Sequence, residues 1–153
     1  MKHIALTLLL GVALPALADR LPLPADTPAS YAAECGSCHL AYPPALLSAG
    51  DWRRVMAGLD DHFGSDAAVD AQKRQEITAF LECHAGNAAK LGSAGDPPRI
   101  SATARFIRKH REVPARLWHD PRVKSAANCE ACHRGAADGN YSEHDIAIRE
   151  LKR

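Results

Sequence analysis

Cys35-Gly36-Ser37-Cys38-His39 and Cys129-Glu130-Ala131-Cys132-His133 are two copies of one five-residue pattern, C-x-x-C-H, set 94 positions apart. Its spacing suits covalent attachment of haem. Two thiols three positions apart on one helical turn can each add to a vinyl group of the same porphyrin. The imidazole of the next residue then reaches the iron from one side. The pattern makes Cys35, Cys38, Cys129 and Cys132 candidate thioether anchors and His39 and His133 candidate proximal ligands of two haem c groups. A pair of redox dithiols or a Cys/His zinc site competes with this reading, but neither explains a histidine directly after both cysteine pairs.

Outward from the first motif, the chain begins like an export leader. Lys2 is followed by an apolar run over residues 4–14, and Ala16-Leu17-Ala18 forms a small-x-small cleavage site. The run is too short to span a bilayer, which takes about 20 residues. The expectation is an exported, periplasmic protein cut after Ala18, with residues 19–153 as the mature chain. Residues 93–99, Gly- and Pro-rich around Asp96-Pro97-Pro98, read as a linker between an N-terminal haem-bearing half (19–92) and a C-terminal one (100–153). Aromatic residues are 5% of the sequence, so an ordinary core is thin and two porphyrins supply the missing apolar bulk.

Periodicity of two is nearly absent, which predicts a mainly α fold with much irregular chain. Ser30 reads as the N-cap of a short helix carrying Cys35 to His39, stopped by Pro43 and Pro44. Asp51 reads as the cap of a helix reaching His62, and Asp66 or Asp70 as the start of one reaching Leu91. Ser101 or Thr103 starts a helix containing Phe106 and His110 and ending near Val113, because Pro114 follows. Ser125 caps the second haem helix, and Ser142 and Asp145 offer a weak cap before Ile146.

The ligand opposite each proximal histidine separates an electron carrier from an enzyme. The two methionines are Met1, lost with the leader, and Met56, so both haems cannot use one. For the first haem His62 is favoured, because it ends an apolar stripe beside Phe63. His84 is the competitor and Met56 the third choice. For the second haem His110 is favoured, on the face of Phe106, with His144 as rival; His119, before Asp120 and Pro121, suits a turn. Trp52 and Trp118 read as porphyrin-packing side chains. Cys83 is a fifth cysteine with no assigned partner: a free thiol, an intermolecular bridge or a modification site, or simply a buried inert thiol.

These residues together resemble the small periplasmic dihaem cytochromes c that donate electrons to a monohaem, oxygen-binding cytochrome c. The resemblance runs through Cys35 to His39 with Leu40, Ala41, Tyr42, Pro43 and Pro44. It continues through Trp52 to His62, Phe63 and Gly64, then Phe106 to His110, and Cys129 to His133 with Gly135, Ala136 and Gly139. It implies two haems with bis-histidine ligation, His39 with His62 and His133 with His110. It also implies electron flow from a membrane b-type cytochrome toward the monohaem partner. The segment from Cys83 to Asn87 departs from the family pattern, which keeps His84 open as a ligand.

The formal net charge is +1, but residues 19–92 hold 6 Lys plus Arg against 10 Asp plus Glu, and residues 93–153 hold 12 against 8. The molecule therefore reads as acidic around the first haem and basic around the second. With no dense basic run, nucleic-acid binding is disfavoured. A small, salt-sensitive encounter with a redox partner suits the charge pattern. The alternative is a dihaem enzyme, peroxidase or nitrogen-oxide reductase in type, with one five-coordinate iron.

Overall fold

The computed structural model describes residues 19–148; the expected leader, residues 1–18, lies outside them. Among the described residues five α-helices carry the fold: α1 Ala29–Cys35, α2 Ala49–Ala57, α3 Ala71–Cys83, α4 Ala88–Leu91 and α5 Ala104–Lys109. Short 3-10 turns and irregular chain join them. The described residues form no strand, and their β pairing amounts to the isolated bridges Arg20–Asn140 and His133–Ile146. The mainly α expectation therefore holds, and no helix among the described residues is long and apolar enough to cross a membrane.

α2 to α5 each start where a polar side chain takes an orphan N–H, and α2, α3 and α5 stop earlier than their apolar spacing suggests. α1 begins after Pro28, not at Ser30, whose hydroxyl instead donates to Glu76. It ends at Cys35 because Gly36 follows, and a Cβ there would run into the Ala32 carbonyl. Cys38 and His39 therefore sit on a turn rather than on the helix. α2 is capped by Ser48, whose Oγ accepts from Asp51 N at 3.2 Å, so Asp51 lies inside the first turn. α2 ends at Ala57, and a 3-10 turn, Leu59–Asp61, carries the chain to His62.

Of the two starts considered for α3, Asp70 is the cap, its carboxylate accepting from Lys73 N at 2.9 Å. α3 stops at Cys83 instead of running to Leu91. Gly86 N donates to Leu47 O at 2.8 Å, an approach so close that a Cβ on Gly86 would meet the Ala45 carbonyl. Thr103 caps α5, which ends at Lys109 rather than near Val113. The second attachment sequence is a 3-10 turn, Cys129–Ala131, and not a helix; Ser125 Oγ accepts from Ala127 N ahead of it. Ser142 caps the 3-10 turn Glu143–Asp145.

α1 and α2 pack against α3 around a cluster of Tyr31, Leu47, Trp52, Met56, Leu59, Ile77, Phe80, Leu81 and Ala94. A second cluster is much smaller: Leu117, Val123 and Ile148, with Val113, Trp118, Ala131, Cys132 and Ile146 around it. The Gly- and Pro-rich segment 93–99 touches the first half at two points. Ala94 is 2% exposed in the first cluster, and Arg54 reaches Gly95 O at 3.1 Å. The N-terminal stretch crosses to the far side of the molecule, where Leu21 N donates to Gly139 O at 2.7 Å and Tyr141 N to Asp19 O at 2.9 Å.

Candidate functional site

The chain brings four histidines together in two pairs. His39, on the turn after α1, faces His62, with ring centres 6.3 Å apart and planes 29° from parallel. His133 faces His110 at 6.1 Å, with planes at 90°. Two metal–nitrogen bonds of about 2.0 Å, plus about 1.1 Å from each bonding nitrogen to its ring centre, put imidazoles on opposite sides of one ion about 6.2 Å apart. Both pairs meet that requirement. Among the described residues no three His, Cys, Asp or Glu side chains converge as a protein-only metal site.

Local structure aims the rings. A tight turn after the Leu59–Asp61 segment presents His62: its N–H donates to Ser65 O at 2.8 Å, and Phe63 takes a left-handed conformation, φ 57°. Phe63 packs on His62 with ring centres 4.7 Å apart, and the Arg99 guanidinium lies 3.9 Å over the other ring. His39 Nδ1 donates to Leu40 O at 2.7 Å, and His110 Nδ1 donates to Phe106 O at 2.9 Å. Each bond holds the proton on Nδ1 and leaves Nε2 with its lone pair for a metal. His110 also stacks on Phe106, 3.9 Å between centres, with Trp118 at 5.9 Å. His133 Nδ1 is buried with no hydrogen bond of ordinary geometry.

Burial pushes the pKa of His62, His110 and His133 below the usual imidazole value, and neighbouring positive groups push the same way: His39 and Arg99 on His62, Lys109 on His110, His110 on His133. Neutral imidazole is the ligating form. Burial moves the thiols in the opposite sense, Cys35 and Cys129 each up to about 11, with Cys132 also raised.

A model for the dihaem cytochrome c family matches residues 31–141. The chain belongs to the dihaem cytochrome c family. It carries two covalently bound c-type haems, and its function is haem-based electron transfer. The cytochrome is similar to the diheme cytochrome type c of Shewanella baltica OS155, at 40% identity and a TM-score of 0.70 over 82% of this chain and 95% of that one. It is also similar to DHC purified from Rhodobacter sphaeroides, at 41% identity and 0.65 over 74% and 96%. A second structure of diheme cytochrome c from that organism gives 38% identity and 0.67 over 75% and 97%. No curated protein matches the chain.

The remaining candidates stand elsewhere in the cytochrome. His84 packs on Phe80 and its Nε2 lies 2.9 Å from Asp26 Oδ2. Met56 and Trp52 are buried inside the first cluster, and Trp52 Nε1 donates to Pro44 O at 2.7 Å. Trp118, by contrast, stands against His110. His119 and His144 are exposed, and Cys83 is exposed rather than buried. The sequence reading gave no role to Tyr42, which stacks on His39 with ring centres 4.7 Å apart, or to Tyr141, 5.6 Å from His133. Tyr42 follows His39 by three positions, a spacing that could have flagged it.

Proposed function

We propose that this cytochrome is an exported, periplasmic electron carrier in which both irons are closed on each side by imidazole, His39 with His62 and His133 with His110. The observation that carries the reading is the pair of ring separations, 6.3 and 6.1 Å, each matching two imidazoles on one iron. The residues around them fit the group: thiols beside each proximal histidine, Nδ1 protons held by carbonyls on His39 and His110, and aromatic packing against His62 and His110. A bound haem supplies a one-electron couple; the chain supplies the ligands, the apolar packing and the charge around it.

Six-coordinate iron has no position open to substrate, so transfer without chemistry is the function this ligation supports, and the protein acts as no enzyme. The leader-like start and its cleavage site support the periplasm. The resemblance supports a membrane b-type cytochrome as donor and a monohaem, oxygen-binding c-type cytochrome as acceptor. The difference in charge between the two halves suits brief, salt-sensitive docking.

EPR of the oxidised protein beside His62→Ala and His110→Ala tests the ligation. Planes 29° apart split the iron orbitals that mix with the ligands, and planes at 90° leave them nearly equal, so the wild type should show two different low-spin signals. Each substitution should abolish one of them. A substitution that alters neither signal refutes its assignment.

A further inference from the structure

A direct connection between the two haem sites runs through one side chain. Tyr42 stacks on the His39 ring at 4.7 Å between centres and 21° between planes. Its hydroxyl crosses to the other half of the chain and donates to Ala127 O at 2.6 Å. The same carbonyl accepts from Cys129 N at 3.0 Å. From the first proximal imidazole to the backbone of the first cysteine of the second attachment sequence there is therefore one stacking contact and two hydrogen bonds. The two attachment sequences also share a cleft of about 400 Å³, lined by residues 36–41 together with Glu130.

We infer that Tyr42 is the positioning and coupling residue between the haems: it holds the second attachment turn at a fixed distance from His39 and provides the bonded route along which an electron passes from one iron to the other. The inference rests on His39 being an iron ligand, as proposed above. Electronic coupling decays far more steeply across empty gaps than along bonds and short hydrogen bonds, so a route with a single through-space step outweighs paths through solvent. In the transfer itself one ferrous haem loses one electron and one ferric haem gains it. Tyr42 is neither oxidised nor deprotonated. Tyr31 OH donates to Tyr42 O at 2.5 Å, which anchors the bridge in the core of the first half.

The test uses the full haem-loaded chain, reduced by a sub-stoichiometric pulse, with redistribution of the electron between the two haems followed optically. Tyr42→Phe keeps the stacked ring and removes only the hydroxyl; Tyr42→Leu removes both. Reduction potentials and low-spin EPR signals are measured on the same samples. The expected result is redistribution slowed several-fold in Tyr42→Phe and further in Tyr42→Leu, with potentials and EPR signals of Tyr42→Phe as in the wild type. Should Tyr42→Leu lose haem or fail to fold, Tyr42→Phe decides alone. Unchanged redistribution in Tyr42→Phe overturns the inference. A shift in its potentials large enough to account for the slowing overturns it too. A wild-type spectrum lacking bis-imidazole iron would strike the ligand reading instead, before any variant is compared.

Discussion

Thr103 stands at the opposite end of α5 from His110, yet its removal should be read at the second haem. It is 2% exposed; its Oγ1 donates to Ile100 O at 2.9 Å and accepts from Phe106 N at 3.1 Å. It thereby caps α5, six residues long, whose C-terminal neighbour is His110. A helix that short has no stability of its own. Thr103→Ala leaves the Phe106 N–H without its acceptor, at a cost of about 0.5–2 kcal/mol. If that cost falls on the state with His110 seated, the open state becomes about 2- to 30-fold more populated. Carbon monoxide enters a six-coordinate ferrous haem only while its distal ligand is off, so the rate at low CO, where it is still proportional to the CO concentration, reports that population. One of the two CO-binding phases should accelerate within this range in Thr103→Ala, and Thr103→Ser, which keeps the hydroxyl, should stay near the wild type. A lowered melting temperature with both phases unchanged would refute the link between cap and ligand, and so would acceleration of the phase that His62→Ala eliminates.

Two further outcomes follow from the same contacts. His84→Ala should leave both low-spin EPR signals in place, because His84 Nε2 is turned to Asp26 at 2.9 Å; loss of either signal would return His84 to the ligand set. Asp120 is held by Arg122 through Nε at 2.9 Å and Nη2 at 2.7 Å, and these hydrogen bonds bring its carboxyl down to about 2 from an ordinary 3.8. A carboxylate with a depressed folded pKa adds stability that is complete above its unfolded value and is lost as pH falls through the folded one. Urea midpoints should therefore fall more between about pH 4 and pH 2 in the wild type than in Asp120→Asn, and parallel losses would refute the assignment.

The chemistry was legible because it is written locally. C-x-x-C-H needs no tertiary information, and showing that the two irons cannot both take methionine took only a count. Helix starts at Asp70 and Thr103 were legible for the same reason, since a cap is a property of four adjacent residues. Helix ends were not. Apolar spacing carried α2 to His62 and α3 to Leu91, but chain stops at Ala57 and Cys83 are set by Gly58 and by the approach of Gly86 to the Ala45–Leu47 backbone, a contact distant in sequence. His62, His84 and His110 consequently sit just past helix ends rather than on helix faces. Face arguments alone could not separate His62 from His84; proximity to His39 does. The crossing of Asp19 and Leu21 to Tyr141 and Gly139 is likewise non-local, as is the bond from Tyr42 to Ala127.

The two halves hold their imidazole pairs by different means. Around the first pair, three helices surround a cluster of nine buried residues, Met56, Leu59 and Phe80 among them, so the turn bearing His62 hangs from a framework that packs by itself. Around the second, the buried cluster among the described residues is Leu117, Val123 and Ile148, and Phe106 and Trp118 stand against His110. So thin a core leaves a short, turn-rich segment with little apolar area to offset the entropy of ordering it. A group that binds only the folded form adds its binding energy to that form. The second half therefore draws its order from its haem, from the Tyr42 bond and from the N-terminal stretch laid across it. This asymmetry gives the chain's crossing contacts their purpose: they fix a haem-dependent half to a self-supporting one at the place where the electron must pass.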